Sequence, residues 1–235
     1  MSRYLLKFSK QGRIRFISHL DLLRVFQRVF RRSGLQISYS NGFNPHAKIG
    51  FAMPLSLGFE TRGDYLEFET DPDYAPGEVV EILNVHVPPG LTVLRCGKLK
   101  ETGKQAAAAA LRYAEYTAEY RGTQDLSRII KESVRPFLEQ ESILSVKYSK
   151  KKRKNVETEI RSSIHSLSVI DGNHLLLTMM LGAGNAGSLN PQVLMKEFCG
   201  FCGLDYEESD WLYTRREMYI TDSAGHIMPM YEFAG

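Results

Sequence analysis

The 235-residue sequence has only three cysteines, so there is no disulfide framework to find, and that scarcity fits a reducing compartment. No window approaches 18 consecutive apolar residues, which leaves no candidate for a bilayer-spanning helix. The opening residues MSRYLLKFSKQGRIRF have neither a long apolar stretch nor a small-residue cleavage site, so no secretory signal is expected. With 9 Pro, 19 Gly, 43% apolar and 24% charged residues, the composition excludes collagenous and disordered chains. The expectation is a soluble cytoplasmic protein with no membrane partner. Its length suits one large domain or two small ones.

Charge is distributed unevenly. Residues 1–50 hold ten Lys or Arg against a single acid, Asp21, a balance of +9; residues 51–97 carry −6, residues 98–161 carry +6 and residues 162–235 carry −6. A basic half followed by an acidic half thus occurs twice. Either the acidic segments neutralise the basic ones in the fold, or a positive field remains that attracts nucleic acid or acidic proteins.

The pattern of elements also repeats. Arg3–Phe8 reads as a strand, followed by a turn or loop at Lys10–Arg13 and a helix that starts at Ser18, with Asp21 three residues on as a shortened capping box. Over Leu20–Arg32 the apolar Leu22, Leu23, Val25, Phe26, Val29 and Phe30 fall on one arc and Arg24, Arg28, Arg31 and Arg32 on the other; Ser33-Gly34 ends the helix. Further strands are expected near Gln36–Tyr39, Ile49–Leu57 and Tyr65–Thr70, then a helix after Pro76 and a strand after Pro88-Pro89-Gly90. That order is ferredoxin-like. Lys98–Ala110 reads as a linker, although its five alanines also suit a helix. Beyond it come a tyrosine-rich strand at Leu111–Arg121, a helix capped by Asp125 and interrupted near Pro136, and a strand pair at Ile143–Tyr148 and Val156–Val169. A strand at Leu175–Leu181, a helix with Pro191 at its first position after Asn190, and a closing strand at Trp211–Ile220 follow. The expected architecture is α+β: two tandem ferredoxin-like domains with antiparallel sheets, at 1–97 and 111–235, joined by 98–110.

The segment Arg13-Ile-Arg-Phe-Ile-Ser-His-Leu-Asp-Leu-Leu-Arg24, with Tyr39-Ser-Asn-Gly-Phe-Asn-Pro-His-Ala-Lys48 and Pro54-Leu-Ser-Leu-Gly58, resembles the Ser-His-Leu-Asp and Gly-Phe-Asn-Pro-His signatures of the DUF2344, or radical-SAM-linked, family. Coverage extends to Glu159-Ile160-Arg161, which is similar to a later Asp-Ile-Arg segment with Glu for Asp. At Ser188-Leu189-Asn190-Pro191 the chain departs from the family, whose members often place an Arg before the Pro. The resemblance implies an accessory or substrate-binding role beside a radical SAM enzyme, near ribosomal-protein or ribonuclease genes. The chain itself holds no Cys-x3-Cys-x2-Cys signature, and no cofactor is expected.

Several residues are candidates for a site. Arg13, Arg15, Arg24, Arg28, Arg31, Arg32 and Lys48 offer donors to phosphate, with Phe43 as a stacking face or as a core anchor of its loop. These cations equally suit a solvated helix face. Lys150, Lys151, Lys152, Arg153 and Lys154 form either a solubilising hairpin tip or an arm along nucleic acid. His19, Asp21 and His46 are the group with acid–base capacity: a His pair can exchange general-base and general-acid roles in phosphodiester cleavage. Capping by Asp21 and loop bonding by His46 explain the same residues more simply. The Cys199-Gly-Phe-Cys202 spacing suits a redox pair or half a zinc site, but free buried thiols account for it, and no metal site is expected.

The leading functional expectation is therefore an RNA-binding accessory module, presenting tRNA or rRNA to a separate radical SAM enzyme. The rivals are a small RNA-processing or RNA-modifying enzyme using His19 and His46, and a scaffold whose basic surface docks a protein. Whether the chain catalyses a reaction is left open at this point.

Overall fold

The structure, a computed structural model, describes residues 1–99, 106–149, 153–184 and 187–234. In chain order its principal elements are β1 (Ser2–Lys10), α1 (His19–Ser33), β2 (Ile49–Phe51), β3 (Glu60–Thr70), α2 (Pro76–His86), β4 (Leu91–Lys98), α3 (Ala107–Ala110), β5 (Leu111–Tyr120) and α4 (Ser127–Leu138). They continue as β6 (Leu144–Ser149), β7 (Lys154–Glu159), β8 (Ile164–Ile170), β9 (Leu176–Gly182), α5 (Pro191–Phe201), β10 (Trp211–Thr221) and β11 (Ile227–Pro229). The α+β class is as expected. The chain divides into two compact units, Met1–Arg112 with Thr214–Gly235, and Tyr113–Tyr213. Residues from Thr214 onward thus group with the N-terminal half, whereas the sequence pattern assigns them to the second half.

In the first unit β4, β1, β3 and β2 lie side by side, all antiparallel, with Tyr4 opposite Phe68 on β3 and Lys98 on β4. Alternation along β1 sends Tyr4, Leu6 and Phe8 into a core shared with Leu22, Phe26, Val29 and Phe30 of α1 and Val79 and Leu83 of α2. Phe8 meets Phe26 edge-on at 4.9 Å, and Phe30 meets Phe68 at 4.9 Å. Truncating a ring buried like Phe26 costs about 3–5 kcal/mol, which is how this face of α1 is held to the sheet. Helix α1 starts where the Ser18 hydroxyl accepts the Asp21 amide at 3.1 Å, and it ends at Gly34, whose φ of 76° is left-handed.

The sheet of this unit is mixed, not purely antiparallel. Thr214 and Arg215 of β10 pair in parallel with Glu60 and Thr61 of β3, and the end of β10 turns back to pair with β11. Gly63 permits the approach, because a Cβ there would stand 2.5 Å from the Arg216 carbonyl oxygen. The alanine run expected in a linker forms the short helix α3: Ala107 is buried, and its amide donates to Glu67 Oε2 at 2.9 Å. Most of the rest of that expected linker, residues 100–105, lies outside the described residues.

In the second unit β5 pairs with β9 and β9 with β8, all antiparallel, placing Met179 between Tyr116 and Leu167. Phe137 of α4 and Phe198 of α5 pack edge-on at 5.0 Å. The α5 start is as expected: Asn190 Oδ1 accepts the Gln192 amide at 2.8 Å and Pro191 takes the first turn. Helix α4 ends two residues beyond Pro136. The strand expected over Val156–Val169 is broken into β7 and β8, because the Glu159 carboxylate accepts the Arg161 and Ser162 amides and folds that segment into a 3-10 turn. Among the described residues strands β6 and β7 form a separate two-stranded antiparallel sheet.

Candidate functional site

The first fifty residues carry the basic excess, and the structure decides which of their charges are already satisfied. Arg3 pairs with Glu67, Lys7 with Glu217, Arg15 with Glu60 at 3.4 Å, Arg24 with Asp21 at 2.8 Å and Lys48 with Glu69 at 2.6 Å. Three of those carboxylates come from β3, so the acidic segment neutralises part of the basic one. Lys10, expected in a turn, is instead the last residue of β1 and is buried, its Nζ directed to the Arg15 carbonyl oxygen at 3.4 Å. Arg13, Arg28, Arg31 and Arg32 are left; each is exposed and makes no ion pair among the described residues.

These four do not border a single groove. Arg28 and Arg32 flank a shallow depression beside His86 and Pro88, where α1 meets the end of α2. Arg31 faces a cleft of about 420 Å³ between the last turns of α1 and the Ser40–His46 loop, together with Gln27, Tyr39 and His46. That loop is closed at its base: the Ser40 amide donates to the His46 carbonyl at 2.8 Å, the His46 amide donates to Ser40 Oγ at 2.9 Å, and Tyr39 bridges to Ala47. Phe43 at its tip is fully solvent-exposed, so it does not anchor the loop in the core. Basic residues in the last turn of α1 also favour the helix dipole, a structural reason for Arg31 and Arg32 that needs no ligand.

The three acid–base candidates fall into separate surroundings. Asp21 is engaged locally: its carboxylate accepts the Ser18 hydroxyl at 2.7 Å and Arg24 Nη1 at 2.8 Å, and these bonds hold its pKa below the usual carboxylate range. It does not reach back to the Ser18 amide, as a capping box requires; the contact is hydroxyl to carboxylate. His19 packs against Phe51 at 5.0 Å, and burial lowers its pKa. His46 instead lines the cleft that Arg31 faces, and Arg31 is 12 residues further along α1 than His19, about 18 Å at the helical rise. The histidines therefore do not meet as an acid–base pair.

A cluster that sequence reading missed lies behind His19. Arg215 and Asp64 form an ion pair at 2.6 Å with 1% and 2% of their surfaces exposed, and Arg215 Nη2 donates to the Pro54 carbonyl at 2.8 Å. Burial pushes the Asp64 carboxyl up while Arg215, Lys10 and His19 pull it back; burial likewise pushes the Lys10 amine down. An enclosed carboxylate among cations holds the Pro54 loop and the β3–β10 junction in place. The only sequence cue was an Asp amid the strand residues of β3.

In the second unit Arg153 and Lys154 are exposed at the start of β7, with Arg153 at φ 51°, while Lys150, Lys151 and Lys152 lie outside the described residues. Cys199 is buried and its thiol is pushed up to about 12, the opposite of an activated redox cysteine. Among the described residues no three His, Cys, Asp or Glu side chains gather as metal ligands. No described helix is long and apolar enough to cross a membrane.

The profile of the family described as "Uncharacterized protein conserved in bacteria (DUF2344)" matches residues 3–191, which include the Ser18–Asp21 cap and the Ser40–His46 loop. The chain belongs to the DUF2344 family. No curated protein matches this DUF2344 chain in sequence. Solved structures similar to it include a Cbf5-Nop10-Gar1 complex, at 11% identity and a TM-score of 0.45 over 92% of this chain, and an archaeal box H/ACA sRNP Nop10-Cbf5 complex, at 10% identity and 0.42 over 90%. The DUF2344 chain spans about half the length of each matched chain, 48% and 46%.

Proposed function

We propose that this DUF2344 protein is an RNA-binding accessory module that presents tRNA or rRNA to a separate radical SAM enzyme. The observation that carries the RNA part is the charge left after pairing: among the described residues Arg13, Arg28, Arg31 and Arg32 stay exposed and outside any ion pair, Arg28 feeling Asp21 only at longer range, while neighbouring cations have carboxylate partners. Guanidinium groups in that state take phosphate by paired donors, and nearby Phe43 and Tyr39 offer exposed aromatic faces for bases. The cations from Lys150 to Lys154 belong to the same proposal as an auxiliary arm. The enzyme partner rests on the family resemblance. The two units are proposed to be ferredoxin-like; the antiparallel pairing of β4 with β1, β1 with β3 and β3 with β2 supports this for the first, beside which β10 adds a parallel partner of β3.

The alternative in which His19, Asp21 and His46 catalyse RNA processing draws no support from the geometry, since Asp21 is engaged with Ser18 and Arg24 and the two histidines are apart. A protein-docking scaffold is favoured by one observation. Phe16, Leu20 and Leu57 are exposed near the start of α1, and the Gly58 amide donates to the Arg15 carbonyl at 3.0 Å, which holds Leu57 close to Phe16. Crosslinking in cells with identification of both bound RNA and bound protein tests the proposal. Recovery of tRNA or rRNA together with a radical SAM enzyme is expected; recovery of protein alone supports the scaffold.

A further inference from the structure

We infer that the cleft between α1 and the Ser40–His46 loop is a subsite for one unpaired nucleotide of single-stranded RNA, with its phosphate on Arg31 and its base against Tyr39. This rests on the RNA-binding reading and adds which part of the RNA is held and by which residues.

The cleft has the size and chemistry for such a ligand. Its volume of about 420 Å³ lies within the range of small-ligand pockets. The polar side chains that line it, Gln27, Arg31, Gln36, Tyr39 and His46, make no side-chain hydrogen bond or ion pair among the described residues. Its floor is apolar, with Leu35 and Ile37 buried beneath it. A purely anionic ligand would leave that floor unused, and a purely apolar one would leave the guanidinium of Arg31 without a counter-charge. A nucleotide brings a phosphate and a flat base together. The amides of Gln27 and Gln36 each carry a donor and an acceptor for a base edge.

The loop geometry favours a nucleotide out of the duplex. Because two hydrogen bonds and the Tyr39–Ala47 bridge close the loop at its base, Tyr39 and His46 are held on a fixed frame, while the fully exposed Phe43 at the tip offers a second stacking face. Bases inside a helix present only their edges, whereas an unpaired base exposes the face that aromatic side chains take up.

The test is fluorescence anisotropy on the full chain with a labelled mixed-sequence RNA heptamer, single-stranded and annealed to its complement. Tyr39→Ala should weaken binding of the single strand roughly tenfold, the usual loss for one stacked base, and leave the duplex affinity unchanged. Tyr39→Phe, which keeps the ring, should bind like the parent. Arg31→Gln should weaken single-strand binding more than Arg32→Gln, one residue along and facing away from the cleft. Circular dichroism checks that each variant is folded. Unchanged single-strand affinity in folded Tyr39→Ala, with tRNA still bound by the parent, overturns the subsite and leaves the RNA-binding reading standing. Absence of binding to the heptamer and to tRNA by the parent overturns both.

Discussion

Asp64 and Arg215, 151 positions apart in the chain, meet at 2.6 Å with nearly all of both side chains buried. Both ions are desolvated, so the pair itself contributes little net stability, but removing one partner strands the other. Arg215→Met is expected to cost about 3–5 kcal/mol. The double variant Asp64→Leu with Arg215→Met should recover much of that loss. Urea unfolding of the three proteins measures it; a single variant as stable as the parent would mean that water reaches Asp64.

The cap of α1 gives a smaller effect with a sharper assignment. Ser18 accepts the Asp21 amide and donates its hydroxyl to the same residue's carboxylate. Ser18→Ala should therefore lower stability by about 1 kcal/mol, and Ser18→Thr should be nearly neutral. The same Ser18→Ala change should raise the Asp21 pKa toward the ordinary carboxylate value, since the Ser18 bond is the largest cause of its depression. Titration followed by NMR reads that second effect.

His19 makes stability depend on pH. Burial is the largest cause of its lowered pKa, with Arg215 and Lys10 adding to it and Asp64 opposing. The unfolded chain takes up this proton near the ordinary imidazole value of about 6.5, and the folded chain only at lower pH. Stability contributed by neutral His19 is thus fully present above that value and is lost as the pH falls through it toward the folded pKa. The parent should lose stability relative to His19→Gln on going from about pH 7.5 to about pH 5.5. Denaturant titrations at both pH values check this; a difference independent of pH would contradict it.

Local signals in the sequence translated well into structure. The Ser18 cap, the split between Leu22, Phe26, Val29 and Phe30 on one side of α1 and its arginines on the other, and the Asn190-Pro191 start of α5 are each decided within a few residues. Long-range choices were not legible. The parallel pairing of Thr214 and Arg215 with β3 depends on Gly63 giving room to a carbonyl and on a buried partner for Arg215, neither of which leaves a periodic trace. Lys10 looked like a turn residue because a charge beside Gln11-Gly12 ordinarily marks one, yet an electrostatic cluster encloses it. The basic surface was visible as composition, but only the pairing of Arg3, Arg15 and Lys48 with Glu67, Glu60 and Glu69 separates neutralised cations from available ones.

Whether the exposed arginines of α1 hold RNA is decided by titrating tRNA at two salt concentrations with the parent and with Arg28→Glu/Arg32→Glu. Neither arginine has an ion pair among the described residues, and circular dichroism checks that the fold survives the lost dipole contact of Arg32 and the lost attraction of Arg28 to Asp21. The variant should bind more weakly, with a salt dependence shallower by about two phosphate contacts, since fewer counterions are released. Equal affinity and an equal salt slope for folded variant and parent would contradict it.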